Sequence, residues 1–436
     1  MQTAAITADS SGGAAVEHRR RLLALMMGLF FAFGFCTVLV DTLIPKLKGM
    51  FQLSYTEVML TQFCFFLAYF LVSGPAGWLI GRIGYLRAIV VGLLVMAAGC
   101  ALFTPAADIG SYPAFLGALF ILASGVTTVQ VAANPLTSLL GSPATASSRL
   151  TLAQAFNSVA TMIGPQFGAI LILAHSHVLP DPRTLTASAL ADLRAREAQS
   201  VQGPFLMIAA TLLLLALLCW SLRRWTRPAA QNGGGFVHLL GNRRLMLGAL
   251  TIFAYVGAEV SIGSSIANFL MMKHTLGLSM RDAGSLISVY WGLAMVGRFA
   301  GSWLLGKLPA GRVLLGCALG AGLLTVTAGI SSGLVAAVAV LSVGLFNSIQ
   351  FPTIFTLAIE GLGEDTPGGS GLLCLAIVGG AVAPLVTGFA ADHFGLGLAL
   401  LVPAACYAWI SCYGLITSAS ALPAANGLVI ASSPPA

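Results

Sequence analysis

"WLIGR", residues 78–82, recurs 225 positions later as "WLLGK", residues 303–307. The same offset relates two hexapeptides a helix length upstream, "LSYTEV" (53–58) and "LSMRDA" (278–283). In each hexapeptide a serine is followed three positions later by an acid, the spacing with which a capping box starts a helix. Two apolar helices that start and stop alike, at one common offset, mark an internal duplication. The chain therefore reads as two homologous halves.

Outward from those two helices, apolar runs recur about every 30 to 40 residues, and a membrane-crossing helix needs roughly 20. Twelve such runs are predicted, from 22–44 to 395–417, six in each half. Composition agrees: 58% of the 436 residues are hydrophobic and 8% charged, with a mean hydropathy of +0.93, whereas a soluble domain carries about 25% charged residues. The fold class is all-α: a membrane protein of twelve transmembrane helices in two pseudo-symmetric six-helix bundles. The first run follows "EHRRR" (17–21) but exceeds a signal-peptide core of about 7 to 15 residues and lacks an A-x-A cleavage site, so it is read as a retained helix.

The predicted organisation is a disordered cytoplasmic tail at 1–21, an N-terminal bundle at 22–222, a cytoplasmic linker at 223–244, a C-terminal bundle at 245–417 and a second cytoplasmic tail at 418–436. The linker, "RRWTRPAAQNGGGFVHLLGNRR", is basic and carries a proline and three consecutive glycines. Lys and Arg set the orientation: with the N-terminus inside, cytoplasmic segments hold 13 basic residues and outer ones 7, the latter balanced by 7 acids. This is the positive-inside pattern. The net charge of +7 thus reports topology and gives no reason to expect nucleic acid as a partner. All eight cysteines fall inside apolar runs and none forms C-x-x-C, which argues against disulfides and zinc.

Acids, amides and arginines inside the spans must face protein or a wet hollow, because lipid tails cannot satisfy them. Span 1 carries Asp41, span 4 Gln130 and Asn134, span 5 Gln154, Asn157 and Gln166, span 7 Glu259 and Asn268, and span 10 Asn347 and Gln350, while spans 3, 6, 9 and 12 have none. That recurrence predicts a central cavity lined by spans 1, 4, 7 and 10, with 3, 6, 9 and 12 facing lipid. Two six-helix units around a mid-membrane site form an architecture used for alternating access. Gln130 with Asn134, Gln154 with Asn157, and Asn347 with Gln350 each share a helix face. Glu259 and Asn268, nine residues apart, line one cavity only if span 7 bends. Pro135 and Pro352 lie just beyond two of these pairs, where a kink would free carbonyls for a ligand.

The segments "DTLIPKLKG" (41–49), "VAANP" (131–135), "LAQAFNS" (152–158), "YVGAEVSIGS" (255–264), "GLFNSIQFPTIFTLAIEGLG" (344–363) and "GSGLLCLAIVGGAVAP" (369–384) resemble the fucose/galactose/glucose symporter family of the major facilitator superfamily, above all its glucose/galactose branch. The resemblance implies the major facilitator fold and H⁺- or Na⁺-driven uptake of a monosaccharide across a bacterial inner membrane, with both termini cytoplasmic. It further implies that an aspartate in span 1 and a glutamate before "AANP" serve coupling and sugar binding. Asp41 matches the first, and Gln130 stands in place of the second, where it cannot protonate. The superfamily's G-x-x-x-D-R-x-G loop is also altered, as "GWLIGRIG" (77–84), with Gly81 where Asp is usual.

Each candidate residue carries two readings. Asp41 either couples the ion inside the cavity or sits at the outer interface beside Lys46 and Lys48, since it lies roughly 30 Å along its helix from the cytoplasmic entry. Glu259 is a sugar or cation ligand, or a packing group with a hydroxyl partner such as Tyr255. Gln130, Asn134, Gln154, Asn157, Asn268, Asn347 and Gln350 suit sugar recognition, because amides both donate and accept; the competing role is glue between helices. Trp291 stacks on a sugar ring or packs as core. Arg298 snorkels to the cytoplasmic surface or forms a gate with Glu360. No cofactor is expected beyond the coupling ion, and a monomer in the lipid bilayer with a small sugar as its partner is the expected working unit. The six histidines lie in loops or at helix ends, and no H-E-x-x-H, G-x-S-x-G or Walker motif occurs, so an enzyme is not expected. An efflux antiporter of the same fold is the rival reading.

Overall fold

The computed structural model describes residues 12–51, 55–109, 111–168, 187–225 and 236–419. Among these residues the chain is helical and has no strand. The N-terminal half comprises α1 (Gly12–Phe51), α2 (Tyr55–Ile83), α3 (Tyr85–Ile109), α4 (Tyr112–Leu139), α5 (Ala146–Gly168) and α6 (Ala187–Ser221). The C-terminal half comprises α7 (Arg243–Met271), α8 (Met280–Leu305), α9 (Ala310–Ile330), α10 (Gly333–Asn347), α11 (Gln350–Ile359), α12 (Thr366–Leu375), α13 (Gly379–Phe394), α14 (Leu396–Ala399) and α15 (Leu401–Ala419). Nine helical stretches among the described residues are long and apolar enough to cross a membrane. With α5, α8 and the apolar run Phe205–Ser221 they complete twelve passes.

Helices are the form these apolar runs must take, because a backbone in lipid has only itself to bond to. Helix starts follow local chemistry. Asn242 caps α7 by accepting from the Leu245 N–H at 3.1 Å, and Ser279 caps α8 by accepting from the Asp282 N–H at 3.2 Å while its hydroxyl donates to Asp282 at 2.8 Å. The serine half of the predicted capping box of α8 is thus formed, with Asp282 bonded to the Ser279 hydroxyl; its counterpart at Ser54 lies outside the described residues. The repeated Trp-to-cation signature also has a physical basis. Arg82 sits 4.1 Å over the ring of Trp78 and Lys307 3.9 Å over that of Trp303, so both helices end on the same cation–π contact.

Three passes differ from the continuous spans expected. Span 10 breaks at Ser348 and Ile349 between α10 and α11, span 11 passes through a 3₁₀ turn at Ala376–Val378 between α12 and α13, and span 12 is interrupted at Leu400 between α14 and α15. The N-terminal tail also differs. It is helical from Gly12 onward, with Arg21 donating to Glu17 one turn away at 2.9 Å. Residues 1–11, 226–235 and 420–436 of the predicted tails and linker lie outside the described residues.

Within the first half α3 packs on α4 and α6, α1 on α5, and α2 on α4; within the second, α9 packs on α15 and α10, α13 on α7, and α8 on α10. The halves meet through α2 against α12 and α5 against α8, with α4 and α11 adding to the seam. As predicted for lipid-facing helices, α6 exposes Leu213, Leu214 and Leu217, and α9 exposes Leu319 and Leu323. Helix α3 is more enclosed than predicted: α4 and α6 cover two of its sides, leaving Leu94 and Leu102 among its exposed positions.

Candidate functional site

The most densely bonded polar group of the C-terminal half is Asn347, the last residue of α10, which is fully buried. Three tyrosines from three helices converge on it. Tyr407 of α15 donates to Oδ1 at 2.7 Å, Nδ2 donates to the Tyr290 hydroxyl of α8 at 2.8 Å, and Tyr255 of α7 donates to the backbone carbonyl at 3.0 Å. Gln350 is buried beside it and donates to Phe346 O at 3.2 Å. Of the two roles expected for Asn347, sugar ligand or glue between helices, the geometry accords with the second: both ends of the amide are engaged inside the bundle, between α7, α8, α10 and α15.

Glu259 lies one helical turn beyond Tyr255, against the Tyr255 side chain and within the electrostatic reach of Arg298. It is partly exposed, although Ala254 to Ala258 just before it are buried. Arg298 neither snorkels outward nor meets Glu360, which corrects both sequence expectations. Its Nε donates to Ser348 O at 3.3 Å, and its Nη1 donates to Gln154 O at 3.3 Å and to the Ser158 hydroxyl, so it bridges the two halves. Glu360 instead pairs with Arg244, whose Nε also donates to Leu357 O at 3.0 Å. That pair fastens the start of α7 to the end of α11.

In the N-terminal half, Asn157 donates to Phe30 O at 3.0 Å, joining α5 to α1 where Gly34 leaves room for the amide. Gln130 is partly exposed although every other residue of α4 from Gly125 to Ser138 is buried. Within that sealed stretch Gln130 alone is reached by solvent. Gln154 is likewise partly exposed. Asn134 is sealed beside Cys374 of α12, and neither amide atom has an oxygen or nitrogen partner among the described residues. Asn268 is exposed near the far end of α7, and Trp291 is 44% exposed, edge-on to Tyr290. Asp41 lies on α1, but its side chain is outside the described residues, as is that of Gln166.

A second feature of the site is the seam between the halves at the end that carries the linker. Ser148 donates to Ser302 O at 2.7 Å and Ser302 donates to Ser148 O at 2.8 Å, while the Ser147 and Thr356 hydroxyls share a 2.6 Å hydrogen bond. Beside them α2 and α12 touch through glycines: a Cβ on Gly77 would lie 2.7 Å from Pro367 O, and one on Gly371 the same distance from Ser73 O. Only glycine allows that approach. These contacts close the seam between the halves at the linker end.

The tyrosine clamp and the serine seam escaped the sequence reading, which looked for acids and amides. Paired hydroxyls 154 and 209 residues apart leave no local pattern. One signal was available. Proline at 135 and 352 removes the helical donor of the carbonyl four residues earlier, and both of those carbonyls, Val131 O and Ser348 O, are taken by donors from other helices, Ser370 at 2.7 Å and Arg298.

Comparison with known proteins accords with this architecture. Residues 25–384 match the model of the Major Facilitator Superfamily. The chain is 51% identical over 399 residues to a glucose/galactose transporter of Brucella abortus, covering 90% of this chain and 93% of the relative. It is 34% identical to the L-fucose-proton symporter of Escherichia coli, over 91% and 93% of the two chains. A crystal structure of the major facilitator transporter FucP in the outward conformation superposes with a TM-score of 0.85 at 32% identity, covering 92% of this chain and 99% of that one. The chain is a multi-pass membrane protein with the major facilitator fold, and it belongs to the Major Facilitator Superfamily, on the branch that holds these sugar transporters.

Proposed function

We propose that the chain is a cation-coupled symporter that takes up a monosaccharide of the glucose or galactose class across a bacterial inner membrane by alternating access. The observation that carries this reading is the set of partly solvated polar groups, Gln130, Gln154, Asn157 and Glu259, on inner helices above a closed seam. Amides can donate and accept at once, as sugar hydroxyls require. The names of the relatives support the substrate class, and that of the fucose-proton symporter favours H⁺ over Na⁺. The positive-inside bias places the linker end, and both termini, in the cytoplasm. The arrangement described is then outward-facing, with its cytoplasmic side shut.

In this reading Asp41 and Glu259 carry the coupling ion. Gln130, Gln154 and Asn157 face the sugar from the N-terminal half, and Asn268 and Trp291 from the other. Asn134 and Gln350, both sealed in this arrangement, reach sugar only when the seam opens. Purified protein in proteoliposomes is expected to accumulate radiolabelled galactose or glucose when a pH gradient is imposed, and Glu259→Gln to exchange sugar across the membrane without accumulating it. Absence of gradient-driven accumulation of glucose, galactose, fucose and amino sugars by the wild-type protein would overturn the proposal; Na⁺-driven accumulation alone would reassign the ion.

A further inference from the structure

A proline inside a helix leaves an acceptor without its donor, and here two such acceptors sit at the contact between the halves. Pro135 releases Val131 O, which the Ser370 hydroxyl of the opposite half takes at 2.7 Å. Pro352 releases Ser348 O, which lies in the break between α10 and α11. Arg298 takes that carbonyl through Nε, and with Nη1 reaches Gln154 O at 3.3 Å and the Ser158 hydroxyl on α5. One planar fork thus holds the broken helix and the opposite half together, a geometry that lysine cannot reproduce. Ser348 stands one residue beyond the tyrosine-clamped Asn347, so the acceptor is fixed in place by α7, α8 and α15.

We propose that Arg298 is the positioning residue that latches the linker-end seam, using the carbonyl released by Pro352 as its anchor, and that Glu259 is the group that pulls it away. Glu259 of α7 lies within electrostatic reach of the same guanidinium, with Tyr255, Tyr290 and Tyr407 as the other titratable groups within its field. When Glu259 is ionised it competes with the neutral acceptors on α5 for the cation. Without sugar, a cation or proton that neutralises it leaves the fork on α5 and the seam shut; bound sugar then parts the halves, so that the loaded carrier opens and the ion-only carrier does not. The proposal rests on reading the seam as the gate of an alternating-access carrier, but its test needs no transport.

A Ser147→Cys reporter, placed in the seam beneath Thr356, is probed in inside-out vesicles with a membrane-impermeant maleimide in the absence of sugar. Modification is read at that peptide by mass spectrometry, so the eight native cysteines stay in place. Arg298→Gln is expected to raise the modification rate about five-fold or more, the scale of a typical coupling between sites. Pro352→Ala restores a helical donor to Ser348 O, and is expected to raise the rate while leaving the melting temperature equal or higher. A structural defect would not do both. Where Arg298→Gln fails to fold, Pro352→Ala carries the test alone. Glu259→Gln is expected to slow modification below the parent rate. Parent-like rates in Pro352→Ala overturn the latch, and faster modification in Glu259→Gln overturns the role given to that acid. Failure of the sugar-transport reading would show in uptake by the wild-type protein and would leave these rates unchanged.

Discussion

Asn347 illustrates how a buried amide in a membrane protein is spent on cohesion. Its side chain and carbonyl meet Tyr255, Tyr290 and Tyr407, each from a different helix. A hydrogen bond between membrane helices contributes on average about 0.6 kcal/mol, and a buried group left unpaired costs about 1–3 kcal/mol. Asn347→Ala orphans two tyrosine hydroxyls at once and is expected to cost about 2–4 kcal/mol on that scale. The measurable outcome is a clear fall in melting temperature in detergent, with unchanged sugar affinity in the protein that remains folded. Weakened affinity at an unchanged melting temperature would return Asn347 to the ligand set. The amide was legible in the sequence as a polar group that needed company. Which company was not, because a lone tyrosine on an apolar helix says nothing about the helix it will face.

At the scale of the element, the features with a local cause were the legible ones. The Ser279 cap of α8 and the twin Trp-to-cation endings are set by residues three or four apart, so the 225-residue repeat could be read, and the physical basis of its endings is visible in both halves. Ser279→Ala removes one cap and is expected to cost about 1 kcal/mol. Because α8 starts at the end remote from the seam, the loss should appear in thermal stability and leave modification of the seam reporter unchanged; a faster reporter would mean that the two ends of α8 are coupled. The break between α10 and α11 was half legible. Pro352 announced a disturbance, but the interruption falls at Ser348 and Ile349, near the carbonyl that loses its donor. The enclosure of α3 was not legible, since the absence of acids and amides is compatible equally with lipid and with a dry protein interface.

For the molecule as a whole, the seam must hold and yet open, and the polar groups sealed in it set that balance. Serine and threonine hydroxyls close the seam with short hydrogen bonds, while beside it Ser73 is buried without a hydrogen-bond partner, and Asn134 with only the Cys374 thiol for company, among the described residues. Each sealed, unpaired group costs about 1–3 kcal/mol that hydration would return once the halves part. The closed state is therefore stabilised by contacts and penalised by desolvation. A covalent bond across the seam removes that balance. The Ser148 and Ser302 hydroxyl oxygens are 3.4 Å apart, so cysteines at both positions need only a small approach to reach disulfide geometry. In the Ser148→Cys/Ser302→Cys protein, oxidation is expected to stop sugar uptake and a thiol reductant to restore it, while sugar added from the outer side still binds. Uptake at the wild-type rate by the oxidised protein, with the cross-link verified by mass spectrometry, would mean that transport does not pass through opening of this seam.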